Sequence, residues 1–228
     1  VLIPFLPYIV ISIVHCVLII FQLPGRGFAT KQLLMPALAL AAIWSVWRVR
    51  PWPRSAMALI LLALMASWVG DGAGLFFRGL PTLPMMILFF AVAHIAYIVL
   101  FWRAPDMNAA RRVPRWVLVY AGWWVATLAL VGPHAGALFV PLAIYGVVLG
   151  LTAALSSRLS KTVALGGAFF LVSDTLISLK EFMGLPQLVS GLVILRPYTL
   201  GPGLIVFGAI ALLRECGGSL GADQPTLH

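Results

Sequence analysis

Eight stretches of this sequence are apolar over close to the length of a bilayer, and they leave little else. A helix that crosses the hydrocarbon core needs about 20 mostly apolar residues. Residues 4–23, 31–48, 55–76, 83–102, 114–132, 137–155, 161–179 and 191–213 come close to that length or exceed it. The expected fold is all-α, a polytopic membrane helix bundle of about eight transmembrane helices with short loops. Residues 1–213 are expected to form a single transmembrane domain and 214–228 a short C-terminal tail. Composition agrees: of 228 residues 62% are apolar and 9% charged, against about 45–50% and about 25% in a soluble domain. Such hydrophobicity also excludes a disordered chain. The chain opens at Val1 rather than Met, as expected if a few residues precede it. Residues 1–23 lack a basic start and a small-residue cleavage site, so they read as the first span rather than a signal peptide.

The net charge is +9, with 15 Lys and Arg against 6 Asp and Glu. These bases fall between apolar runs, so they read as loop charge facing anionic headgroups rather than as a nucleic-acid surface. With eight spans, both termini and the even-numbered loops share one side. Ten of the bases lie there, Arg111 and Arg112 among them, and five (Arg26, Lys31, Arg78, Lys180, Arg196) lie opposite. Lys/Arg excess marks the cytoplasmic face, so both termini are expected in the cytoplasm, with the protein in a bacterial inner membrane. Turns are expected at Leu23-Pro24-Gly25-Arg26-Gly27, Arg50-Pro51-Trp52-Pro53-Arg54, Gly79-Leu80-Pro81 and Gly132-Pro133-His134. Trp47, Trp52, Trp102, Trp116, Trp123 and Trp124 sit mostly near span ends, as an aromatic belt does.

Ionisable groups inside the spans carry the functional signal. A central Asp costs about 2.5–3.5 kcal/mol on insertion scales. Asp71 lies late in the third span, among Gly70, Gly72 and Gly74, and Asp174 lies well inside the seventh. Counted at 1.5 Å per residue, they sit roughly 24 and 20 Å along parallel spans, at compatible depths. His94, in the fourth span, shares a helix face with Phe90 and Tyr97, at i, i+4 and i+7. Lys31 opens the second span. Tyr145 and Tyr198 are candidate polar lining, Arg78 and Glu181 rim charges, and His15 a structural histidine. Each of these polar groups also has a structural reading: a wetted boundary Asp, a hydrogen-bond node between helices, or a snorkelling lysine.

Several chemistries are excluded. Cys16 and Cys216 make neither a disulfide framework nor a cysteine-rich metal site. HExxH and three-His patterns are absent, so no metal is expected. GxSxG, P-loop and GxGxxG motifs are absent too, so neither a serine elbow nor ATP or NAD is indicated. Two buried carboxylates remain, with a histidine and tyrosines. Burial disfavours the charged form, so at least one Asp is expected to hold a proton, shared between the two if they touch. Against a reference value near 3.9, that proton costs about 4 kcal/mol at pH 7, comparable with inserting the charge. A carboxylic acid beside a carboxylate suits hydrolysis of a lipid bond or proton-coupled transport.

The ordered set Thr30-Lys31-x-Leu33-Leu34-Met35-Pro36, Gly70-Asp71, Phe90-x-x-Ala93-His94-x-x-Tyr97, Tyr145 and Gly167-Ala168-x-Phe170-x-x-Ser173-Asp174 resembles the YhhN family of lysoplasmalogenase-like membrane proteins. The resemblance spans about residues 30–205. It implies an eight-helix enzyme that cleaves the vinyl ether bond of a lysoplasmalogen to a fatty aldehyde and a glycerophospho-ethanolamine or -choline, without a cofactor. It implies Asp71, Asp174 and His94 as catalytic residues. Lys31, Tyr97, Tyr145, Ser173 and Tyr198 would surround the lysophospholipid substrate, with Tyr97 supporting His94 and Lys31 holding the phosphate or tuning a carboxylate. In one place the chain departs from the family pattern: Tyr198 is followed by Gly201-Pro202-Gly203, where the family often has a Gln. A hydrolase of another lysolipid and a proton-coupled lipid or solute transporter remain open.

Overall fold

The computed structural model describes residues 2–21, 26–103, 113–184 and 187–222, with the side chains of Arg26, 187–196 and 216–222 excepted. Most of the turn at Leu23–Gly27, Arg111 and Arg112, and the last residues of the tail lie outside them. Among the described residues nine α-helices run in order: α1 (Leu6–Ile20), α2 (Arg26–Val46), α3 (Arg54–Asp71), the short α4 (Ala73–Phe76), α5 (Thr82–Trp102), α6 (Val119–Ala135), α7 (Phe139–Ser156), α8 (Lys161–Met183) and α9 (Gln187–Ala222). Among the described residues there is no strand.

Among the described residues, seven helical runs are long and apolar enough to cross a membrane, and one of them, Arg115–Ser156, is two helices folded back on each other. In one straight helix, residues 124 and 143 would lie roughly 28 Å apart. Instead the Trp124 indole N–H donates to the Ala143 carbonyl at 3.1 Å, so α6 and α7 form a hairpin. Its hinge is Gly136, at φ +52°, a conformation that costs a residue with a Cβ. The molecule is an integral membrane protein, with eight long helices among the described residues.

Local chemistry sets the ends, and in several places moves them from the expected positions. Ser160 caps α8 by accepting the Val163 N–H at 3.2 Å, and Gly184, at φ +67°, ends it. The third span stops at Asp71 rather than running to residue 76, because Gly72 caps it and the chain bends into α4. Lys31 lies inside α2, five residues from its start, not at its first position. The turn expected at Gly132-Pro133-His134 lies within α6, one step before the hinge. The last helix runs through Pro197 and Pro202 and on into the expected tail, to Ala222. In a membrane bundle, neighbouring groups re-satisfy the backbone that a proline frees.

Packing closes six of the helices into a ring, in which α2, α3, α5, α7, α8 and α9 each touch the next and α9 returns to α2. Outside the ring, α1 leans on α2 and α9, and α6 on α7 and α8. The closest approach is between α8 and α9. A Cβ on Gly166 would come within 2.7 Å of the Ile205 nitrogen, and one on Gly201 within 3.0 Å of the Phe170 nitrogen. Small residues allow such backbone contact between membrane helices. The Gly201-Pro202-Gly203 segment thus has a packing reason: Phe170 lies against Gly201, and the Tyr8 ring lies over Gly203.

Candidate active site

Asp71 is held at the C-terminus of α3 by groups from two other helices. Lys31 of α2 brings its Nζ within 2.9 Å of Oδ1, and the hydroxyl of Tyr198 on α9 donates to Oδ2. The same ammonium lies 5.1 Å from the Tyr198 ring centroid, a cation–π contact. The Asp71 side chain is fully buried, whereas that of Lys31 is 28% exposed, so the lysine reaches inward from a more open position. Its ammonium is engaged with the carboxylate, which favours the tuning role over phosphate binding.

A proline sets the position of Lys31. Pro36 has no N–H, so the carbonyl four residues back, that of Gln32, loses its helical partner. The indole N–H of Trp68 on α3 donates to that carbonyl at 3.0 Å. This bond ties α2 to α3 one turn below Asp71. The Trp68 ring packs in turn on Phe76 of α4, 4.9 Å between centroids.

Asp174 on α8 has a separate set of partners. The hydroxyl of Tyr145 on α7 donates to Oδ2, and Nε2 of His94 on α5 lies 3.6 Å from the same oxygen. His94 is fully buried and held edge-on between aromatic rings, with its centroid 4.5 Å from Phe170 and 5.8 Å from Tyr145. Asp174 also lines two narrow cavities. One, of about 40 Å³, lies between α5, α7 and α8 and reaches Glu181. The other, of about 20 Å³, lies on the α6 side beneath Trp123 and Trp124.

Aromatic packing bridges the two carboxylate groups inside the ring. Phe90 lies against Gly70, where a Cβ would come within 3.1 Å of its ring. Phe90 also packs edge-on to Phe170, 6.4 Å between centroids. Each Asp accepts a hydrogen bond from its own tyrosine, Asp174 from Tyr145 and Asp71 from Tyr198. The site therefore combines a carboxylate neutralised by a lysine with a carboxylate flanked by an imidazole and a phenol. Such a pair can give and take a proton at two points of one substrate.

Of the residues singled out from sequence, Lys31, Asp71 and Tyr198 come together, as do His94, Tyr145 and Asp174. Tyr97 does not support His94: its ring stacks on Phe101 at 5.9 Å, and its hydroxyl has no hydrogen-bond partner among the described residues. Ser173 is buried beside Asp174, also without such a partner. His15 accepts or donates at Nδ1 to the Thr30 hydroxyl at 2.8 Å, joining α1 to α2. Glu181 pairs with Lys180 at 3.6 Å near the end of α8. Among the described residues, no cluster of three or more His, Cys, Asp or Glu has metal-site geometry. Sequence reasoning missed Trp68, Gln32 and Tyr8. A proline five residues after Lys31 was the available sign of a freed carbonyl needing a donor. Tyr8 donates to the Thr199 carbonyl, next to Tyr198.

Compared with known proteins, residues 27–209 match the model of the YhhN family. No curated protein and no solved structure matches the chain.

Proposed function

We propose, from the premise that this chain belongs to the YhhN family, that it is a membrane-embedded hydrolase that cleaves the vinyl ether bond of a lysoplasmalogen. The observation that carries the reading is the unequal partnership of the two buried carboxylates. Asp71 has an ammonium at 2.9 Å and is the ionised member. Asp174 has a phenol and an imidazole beside it instead, and in this reading it serves as the acid.

Asp174 delivers its proton to the β-carbon of the vinyl ether, and an oxocarbenium ion forms. The Asp71 carboxylate stabilises that cation, then accepts a proton from the water that adds at the α-carbon. The hemiacetal collapses as its hydroxyl proton passes to Asp174 and the departing glycerol oxygen takes the proton from Asp71. Both carboxyl groups return to their starting states, so no cofactor enters the cycle. Tyr145 and Tyr198 fix the two carboxyl groups by hydrogen bonds, a positioning that general acid–base catalysis requires. The excess of bases on the even-numbered loops supports cytoplasmic termini.

The test is product analysis with purified protein in detergent and in liposomes, offered 1-alkenyl, 1-alkyl and 1-acyl lysophospholipids. The reading predicts fatty aldehyde from the alkenyl lipid alone. Fatty acid from the acyl lipid without aldehyde would make the chain a hydrolase of another lysolipid. Proton-linked flux in liposomes with no product would make it a transporter.

A further inference from the structure

Below Trp68 the walls of α2 and α3 part. The crevice between them has a volume of about 320 Å³ and is lined by Met35, Pro36, Ala39, Leu61, Leu64, Met65 and Trp68, with no charged side chain. Its floor is core: Met35 and Leu64 are each 1% exposed. Its rim faces the bilayer, where Met65 is 58% exposed. Leu61, Leu64, Met65 and Trp68 recur at i, i+3, i+4 and i+7, so they form one stripe, roughly 10 Å long, along α3. The upper end is Trp68, one turn from Asp71 and hydrogen-bonded to the residue next to Lys31.

We infer that this crevice seats the single alkyl chain of the lipid substrate, with the bond to be cleaved at its upper end beside Asp71. Three observations point to that occupant. The crevice opens onto hydrocarbon, so a lipid chain is the ligand its surroundings supply. Its lining offers nothing to a polar group, while two methionines, flexible and polarizable, adapt to a mobile chain. It adjoins the site, because Trp68 at its top lies one turn from Asp71 and donates to the carbonyl of Gln32, next to Lys31. Narrow and reaching the core, it fits one chain running toward the bilayer centre. The identity of the lipid rests on the hydrolase reading; the chain-binding role of the crevice does not.

The test uses a non-cleavable 1-alkyl lysophospholipid with a photoactivatable diazirine at the chain end, in liposomes with the full protein. Expected are covalent labels concentrated on Met35, Leu61 and Met65, lost in Ala39→Trp, which fills the crevice. A second filling variant, Leu61→Phe, guards against a misfolded first one. On cleavable lipid both variants are expected to raise KM for long chains more than for short ones, with kcat retained. Labels spread equally over other lipid-facing residues, such as Leu40, Leu62 and Ile95, would overturn the inference. So would labels in Ala39→Trp equal to wild type, or a crosslinked dimer through this face. Crevice labelling without aldehyde release would keep the inference and remove the hydrolase reading; aldehyde release with scattered labels would do the reverse.

Discussion

Replacing Lys31 with Met leaves the buried Asp71 carboxylate without its cation. At 2.9 Å two unit charges attract by about 6 kcal/mol for an effective dielectric near 20. Desolvation of both ions offsets part of this, and removing one partner of a buried pair costs about 3–5 kcal/mol. The Lys31 side chain is 28% exposed, which places the loss near the lower end. Proton uptake by Asp71 caps it at about 4 kcal/mol at pH 7. Lys31→Met should therefore destabilise by about 3–4 kcal/mol. Asp71→Asn should cost less, about 1–2 kcal/mol, because the freed ammonium can snorkel toward the headgroups. The double variant should fall short of the sum by about 2 kcal/mol. Reversible unfolding in mixed detergent micelles, run on all four proteins, measures this coupling. Costs that add to within about 0.5 kcal/mol would refute the argument that Lys31 neutralises Asp71.

Tyr145→Phe removes the hydroxyl bonded to Asp174; turnover should fall sharply while stability drops by about 1 kcal/mol, read from kcat beside a melting curve. Trp68→Phe strands the Gln32 carbonyl and should cost about 1–2 kcal/mol. Adding Pro36→Ala restores a helical N–H to that carbonyl and should recover most of the loss in the same unfolding assay. Gly166→Ala forces α8 away from α9 and should cost about 1–3 kcal/mol, seen as a lower melting temperature.

The number and type of helices were legible because the bilayer dictates the length of an apolar span. Asp71, Asp174, His94 and Lys31 were legible because ionisable groups inside a membrane are costly and rare. Which group pairs with which was not, since Lys31 and Tyr198 reach Asp71 from opposite ends of the sequence and only the closing of the ring joins them. Trp68 read as one more apolar residue because an indole N–H gives no sign in sequence of the carbonyl it will meet. Proline misled in one place: Pro133 lies inside a helix, where turn chemistry predicts a break. Tyr97 shares a helix face with His94, yet its ring stacks on Phe101, because face periodicity does not fix rotamer or neighbour.

The central claim, that one buried Asp protonates the vinyl ether while the other receives the water proton, is tested most directly by cleavage in deuterated water. Wild-type protein should release aldehyde carrying one deuterium at the carbon next to the carbonyl, and correctly folded Asp174→Asn and Asp71→Asn proteins should release none. Aldehyde without deuterium there, or full activity in either variant, would contradict the account.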